Sequence, residues 1–137
     1  MKIRSNGGFT LIELIVVVII ISVLAAMIVP RFVGRSEEAR LKVAQADVDV
    51  NIATALKLFE VDNGNFPPMD EGLMALVRPS ESARNWKGPY LEKAPKDPWG
   101  NLYHYSCPGE HRTYDYDLSS WGKDGIESED DIINWGE

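Results

Sequence analysis

Phe9-Thr10-Leu11-Ile12-Glu13-Leu14-Ile15-Val16-Val17-Val18-Ile19-Ile20-Ile21-Ser22-Val23-Leu24-Ala25-Ala26-Met27-Ile28-Val29 is the stretch on which the fold turns. As a helix it would reach roughly 31 Å at about 1.5 Å per residue, close to the hydrocarbon thickness of a bilayer. It is therefore read as a membrane-spanning helix. Before it lie Met1 to Gly8, with Lys2 and Arg4 and no acidic side chain; after it come Glu37, Glu38 and an acidic remainder. The positive-inside tendency then places the N-terminus in the cytoplasm and the rest of the chain on the far side.

A secretory signal peptide also combines a basic start with an apolar run. Here the run is longer than a typical signal core. The small pair Gly7-Gly8 also precedes it, whereas a signal-peptide cleavage site follows the apolar core. Glu13 is the further anomaly. A carboxylate at a bilayer centre costs at least about 2.5 to 3.5 kcal/mol, so Glu13 calls for a partner, and a cation is the natural one. If the chain were cut between Gly8 and Phe9, the new α-amino group of a neighbouring subunit could neutralise it. Pro30 closes the stretch, and with no N–H to donate it should kink or break the helix there.

Working outward, residues 30–62 form the next segment. From Phe32 to Asp62 there is no Pro, and Val43, Ala46, Val50, Ala53 and Leu56 recur every three or four residues, which predicts an amphipathic helix with that stripe against a core. Asn63-Gly64-Asn65 caps it and Pro67-Pro68 prevents its continuation. Residues 63–137 make up the globular part. Asp70 is expected to cap a short helix over Glu71 to Val77. Asn101 to Ser106 and Thr113 to Leu118, with alternating tyrosines, read as two strands of a hairpin turned at Pro108-Gly109. Trp86, Tyr90 and Trp99 are expected to cover the sheet. The fold class is α+β: a long N-terminal helix, membrane-spanning in its first half, packed on a small antiparallel sheet.

Charge narrows the partners. Against 14 Lys and Arg stand 21 Asp and Glu, a net charge of -7, which argues against nucleic acid. The single cysteine, Cys107, excludes an intrachain disulfide and reads as a small apolar residue. His104 and His111 flank the expected turn with no second ligand cluster beside them.

The far end concentrates the acid. Asp124, Glu127, Glu129, Asp130 and Asp131 fall within eight residues. A solvated acidic loop accounts for them on composition. A metal site accounts for the arrangement: Gly122 and Gly125 bracket Asp124, and Ile132 and Ile133 anchor the end. Calcium, a hard cation taking six to eight oxygens, suits such a loop better than magnesium, although the spacing is not that of an EF-hand.

Gly8-Phe9-Thr10-Leu11-Ile12-Glu13 resembles the cleavage and methylation motif of type IV pilins and type II secretion pseudopilins. The resemblance implies a prepilin peptidase that cuts after Gly8 and methylates the amine of Phe9, and a role for Glu13 in registering subunits. Val61-Asp62-Asn63-Gly64-Asn65-Phe66-Pro67, Glu71-Gly72-Leu73-Met74-Ala75-Leu76, Asp97-Pro98-Trp99-Gly100-Asn101 and Ser120-Trp121-Gly122-Lys123-Asp124-Gly125 with Glu129-Asp130-Asp131-Ile132 are similar to the major pseudopilin family, general secretion pathway protein G. That likeness implies a pilin-like fold and a structural subunit, not an enzyme, that polymerises with itself in the periplasm to drive export of folded proteins across the outer membrane. It implies a single-pass inner-membrane precursor whose partners include minor pseudopilins and inner-membrane secretion assembly proteins. It also implies a calcium ion held by the side chains of Asp124, Asp130 and Asp131 and the carbonyls of Trp121 and Lys123, with Glu127 and Glu129 either outside that shell or solvated.

Two other readings stay open on the residues. A type IV pilin or minor pseudopilin is one, though pilins often close a loop with two cysteines. A membrane-anchored or secreted hydrolase is the other, but Asp130 and Asp131 are adjacent on one loop and poorly placed to flank a substrate. No Ser/His/Asp set or phosphate-binding glycine loop is visible in the sequence.

Overall fold

In the computed structural model, residues 8–136 are described, those at 29–33 by backbone alone. The leader residues 1–7, including Lys2, Arg4 and Gly7, lie outside the described residues. Two compact units are present, one ending at Glu38 and one running from Ala39 to Glu137.

The first unit is helical. Helix α1 spans Leu11–Ala46, and its window Leu11–Ile28 is long and apolar enough to cross a membrane, with none of it covered by protein. Leu, Ile and Val side chains project on every side, as expected where lipid rather than a protein core is the solvent. Of the kink or break expected at Pro30, the break does not occur, since the helical backbone runs through to Ala46. A proline costs its own N–H bond and crowds the turn before it, yet hydrogen bonds on either side keep the chain helical.

The second unit is built on the continuation of the spine. A π-helical turn, Asp47–Asn51, widens the helix for one turn, and α2 then runs Ile52–Asn63. Gly64, at φ 85°, ends it in the left-handed conformation, with its N–H on the Glu60 carbonyl at 2.7 Å. The buried stripe is Ala44, Val48, Ile52, Ala55, Leu56 and Phe59. That corrects the expected face: of the stripe Val43, Ala46, Val50, Ala53 and Leu56, only Leu56 is fully buried, and Val43 and Val50 are 52% and 57% exposed. Two apolar stripes run side by side on this helix about 100° apart. The one carrying Ile52 and Phe59 has more surface to remove from water, and it takes the core.

The short helix expected over Glu71 to Val77 is a 3₁₀ helix, Gly72–Leu76. Asp70 does not cap it. The N–H groups of Glu71 and Gly72 both go to the Pro68 carbonyl, so a backbone oxygen and not the Asp70 side chain takes the donors at the start of this turn.

The sheet has three short antiparallel strands in the order β1 (His104–Ser106), β2 (Asp117–Ser120), β3 (Ile132–Ile133). Tyr105 pairs with Leu118, and Ser120 pairs with Ile132. Both expected strands exist in part, shortened at 101–103 and displaced from 113–116, and β3 was not foreseen. The displacement has a cause in Asp117. Its carboxylate accepts the N–H groups of His111 (2.8 Å) and Arg112 (3.0 Å), so residues 107–116 fold into a loop where pairing would have continued. Tyr114 is fully exposed there, while Tyr116 is buried against Phe66 at 5.0 Å between ring centres. Cys107 is half-buried at the edge of the core. Trp86 and Tyr90 pack on α2 and the 3₁₀ helix: Trp86 Nε1–H donates to the Ala75 carbonyl at 2.8 Å, and Tyr90 meets Phe59 edge to face at 5.7 Å.

Candidate functional site

Two places carry the residues singled out by the sequence, and they lie in different units. At the N-terminal end Gly8 is exposed, with nothing within 4 Å of where a side chain would start, and Phe9 is 89% exposed. Immediately beyond it Thr10 and Glu13 form a reciprocal cap. Glu13 Oε2 accepts the Thr10 N–H at 2.8 Å and the Thr10 hydroxyl at 2.9 Å, and the Glu13 N–H reaches Thr10 Oγ1 at 3.3 Å. This is a capping box, Thr-x-x-Glu, whose spacing is legible in the sequence, although the reading of Glu13 as a residue in search of a cation passed over it. The box fixes the carboxylate beside the start of α1, one turn from the Phe9 nitrogen.

At the C-terminal end the loop from Trp121 to Asp131 connects β2 to β3. Gly122 and Gly125 have φ of 63° and 66°, a left-handed conformation that only glycine adopts without strain, so the turn around Asp124 needs both. Asp124 Oδ1 accepts the Ile126 N–H at 3.2 Å. Ser128 gathers the other pair: its hydroxyl donates to Asp130 Oδ1, and its N–H donates to Asp131 Oδ2 at 3.1 Å. All three aspartates are at or near the surface. The donor set offers carboxylate and carbonyl oxygens only, which is the chemistry a hard divalent cation takes. Among the described residues no three His, Cys, Asp or Glu side chains converge closely enough to hold a metal ion. The structure therefore brings Asp130 and Asp131 together through Ser128 and leaves Asp124 on its own turn.

The histidines stand beside this loop. His104 stacks on Trp121 with ring centres 3.5 Å apart, and His111 stacks on Trp135 at 4.3 Å while its Nδ1 meets Asp117 Oδ2 at 3.0 Å. The first of these pairs holds Trp121, at the start of the loop, against His104 of β1. Beneath it Asp97 is buried, and its Oδ2 accepts the Ser120 hydroxyl at 2.7 Å.

Comparison with known proteins gives matches over most of the chain. The family described as "Type II secretion system (T2SS), protein G" matches residues 31–135, and the "Prokaryotic N-terminal methylation motif" matches residues 3–29. The Type II secretion system core protein G of Pseudomonas aeruginosa is 43% identical, with 98% of this chain and 99% of that one covered. That of Escherichia coli K12 is 43% identical, covering 96% of this chain and 92% of that one. Among solved structures, the major pseudopilin from the type 2 secretion system of enterohaemorrhagic Escherichia coli is similar, at 33% identity and a TM-score of 0.64 over 74% of this chain and 87% of that one.

Proposed function

From the premise that this chain belongs to the type II secretion system protein G family, we propose that it is the major structural subunit of a pseudopilus. It polymerises through its N-terminal helix in the periplasm, and the growing fibre drives export of folded proteins across the outer membrane. The observation that carries this reading is the exposed apolar helix starting at Leu11, directly after an accessible Gly8–Phe9 bond and a Thr10–Glu13 cap. Such a helix needs lipid before assembly and other copies of itself afterwards, because water is a poor solvent for either end state.

The steps follow from these groups. While the subunit sits in the inner membrane with its N-terminus cytoplasmic, a prepilin peptidase cuts after Gly8 and methylates the Phe9 amine. The freed amine is a cation at the head of an apolar helix. Glu13, held in place by Thr10, is the carboxylate a neighbour's amine would meet. Pairing the two removes a charge from the apolar environment on each subunit, which favours one axial register over its neighbours. The role is structural, with no catalytic step. Minor pseudopilins and inner-membrane secretion assembly proteins are the further partners.

The acidic loop is proposed to hold calcium through Asp124, Asp130, Asp131 and the carbonyls of Trp121 and Lys123. Binding has to draw the Asp124 turn and the Asp130–Asp131 pair toward one another. Neutralising their mutual repulsion would tie the β2–β3 connection down and stiffen the head.

Overexpression of the chain with its secretion machinery tests the assembly reading. Fibres built from this subunit are expected, and their absence with normally processed protein in the membrane would overturn it.

A further inference from the structure

We propose that the exposed apolar stripe on the spine of one subunit docks into the cleft between the 3₁₀ helix and β1 on the head of the next, with Lys57 of the first copy meeting Asp70 of the second. This contact rests on the fibre reading above and places it between heads, away from the membrane-spanning segment.

The core takes one face of the spine and leaves the neighbouring face, with Val43, Val50, Leu58 and Val61, in water. Val61 is 80% exposed. From Val43 to Val61 the stripe reaches roughly 27 Å at about 1.5 Å per residue. An apolar surface of that length on a water-facing head marks a place where another surface sits. Lys57 falls in line with it, because Val61 is one turn further on and Val50 about two turns back.

The second surface lies at the 3₁₀ helix. Ala75 and Leu76 are buried in the core, while Leu73 and Met74 border a cleft of about 240 Å³ with Pro95, Leu102 and Tyr105. Met69, 68% exposed, adds to its lining, and Leu102 is exposed as well. Methionine side chains are unbranched and adapt to the shape laid against them. Asp70 lines the same cleft and is exposed.

Charge decides which surface meets which. Neither the Lys57 nor the Asp70 side chain has a hydrogen bond or an ion pair among the described residues. Stripe against stripe would set Lys57 of both copies side by side, and cleft against cleft would do the same with Asp70. Stripe into cleft pairs the cation with the acid. No residue belongs to both surfaces, so the contact is heterologous: each added copy leaves one stripe and one cleft free, and the contact repeats without closing. A fibre needs that geometry. Apolar burial supplies the strength, and the ion pair sets the register.

Both charges are at the surface, so reversing either should leave the head folded. The test expresses full-length Lys57→Glu, Asp70→Lys and the double variant with the secretion machinery, and measures sheared fibres against processed subunit in the membrane. Each single reversal sets like charges together and is expected to lower fibre yield about tenfold or more, with the melting temperature of the head unchanged. The double variant restores an opposite pair and should recover most of the yield. Parent-like fibres from both single variants would overturn the contact while leaving the fibre reading intact. So would a double variant no better than the singles. If the singles form normal fibres and only export of folded proteins falls, the cleft receives cargo rather than a subunit and the proposal fails. A parent chain that forms no fibres defeats the fibre reading and this contact with it.

Discussion

Thr10 and Glu13 hold one another across the first turn of α1, with both Thr10 donors on Glu13 Oε2 at 2.8 and 2.9 Å. The carboxylate that a neighbouring subunit would meet is thus already aimed before any neighbour arrives. Orientation set in advance lowers the entropy cost of pairing.

Glu13→Gln separates charge from hydrogen bonding at this position. Glutamine retains an acceptor for Thr10, so membrane insertion and cleavage after Gly8 should proceed. The amine of the next subunit loses its counter-charge, and fibre yield should fall by about tenfold or more, equivalent to at least about 1.4 kcal/mol per contact. Quantifying sheared fibres against processed subunit in the membrane checks it.

Calcium should raise the melting temperature of the head. At a free concentration about a hundred times the dissociation constant, linkage contributes about 2.7 kcal/mol, which for a domain of this size corresponds to a shift of roughly 10 °C or more. Asp124→Ala should abolish most of the shift and Glu127→Ala little of it. Superimposable melting curves in calcium and in chelator would count against the proposal.

Acid should destabilise the head through Asp117. Burial alone would raise its pKa, but the N–H groups of His111 and Arg112 and the His111 ring outweigh it and hold the carboxyl below its ordinary 3.8. Glu71, bonded to Ser82, is lowered in the same way against its own burial. For groups whose pKa is depressed on folding, stability is fully present above the unfolded value. It is lost as pH falls through the folded one. Melting temperature is therefore expected to be flat near neutrality and to drop from about pH 5 downward. Asp117→Asn, which leaves one of those N–H groups without its partner, should cost about 1–3 kcal/mol and flatten the acid limb. A parent-like acid limb in that variant would contradict the assignment.

The core makes a plainer prediction. Phe59 is fully buried on the face of α2 that packs against Tyr90, so Phe59→Ala should cost about 3–5 kcal/mol. Val50→Ala, on the exposed neighbouring stripe, should cost well under that, and a reversed order in melting experiments would restore the stripe first expected from spacing.

That contrast shows where the sequence was legible and where it was not. The apolar stretch from Phe9 to Val29 was legible from its length and its freedom from charges other than Glu13, and the helix over it is covered by no protein across Leu11–Ile28. The spine's end at Asn63-Gly64 was equally clear, since glycine there supplies the left-handed cap. The buried face was not, because Val43–Val50 and Val48–Ile52 both satisfy helical spacing and only bulk elsewhere in the fold chooses between them. Strand limits were lost to Asp117, a carboxylate that draws distant N–H groups into a loop. β3 escaped because a two-residue strand has no periodicity to read. In the acidic loop the carboxylates could be counted one by one, but the ties from Asp97 to Ser120 and from Asn101 to the Gly122 carbonyl cross from a separate turn and leave no trace in local spacing.

The central claim is that the chain is a processed, membrane-drawn fibre subunit, and mass spectrometry of the mature protein's N-terminus tests it most directly. The account predicts a chain that begins at Phe9 and carries one methyl group on its amine. A mature chain beginning beyond Ala26, as ordinary signal-peptide cleavage after the apolar run would leave it, would contradict it.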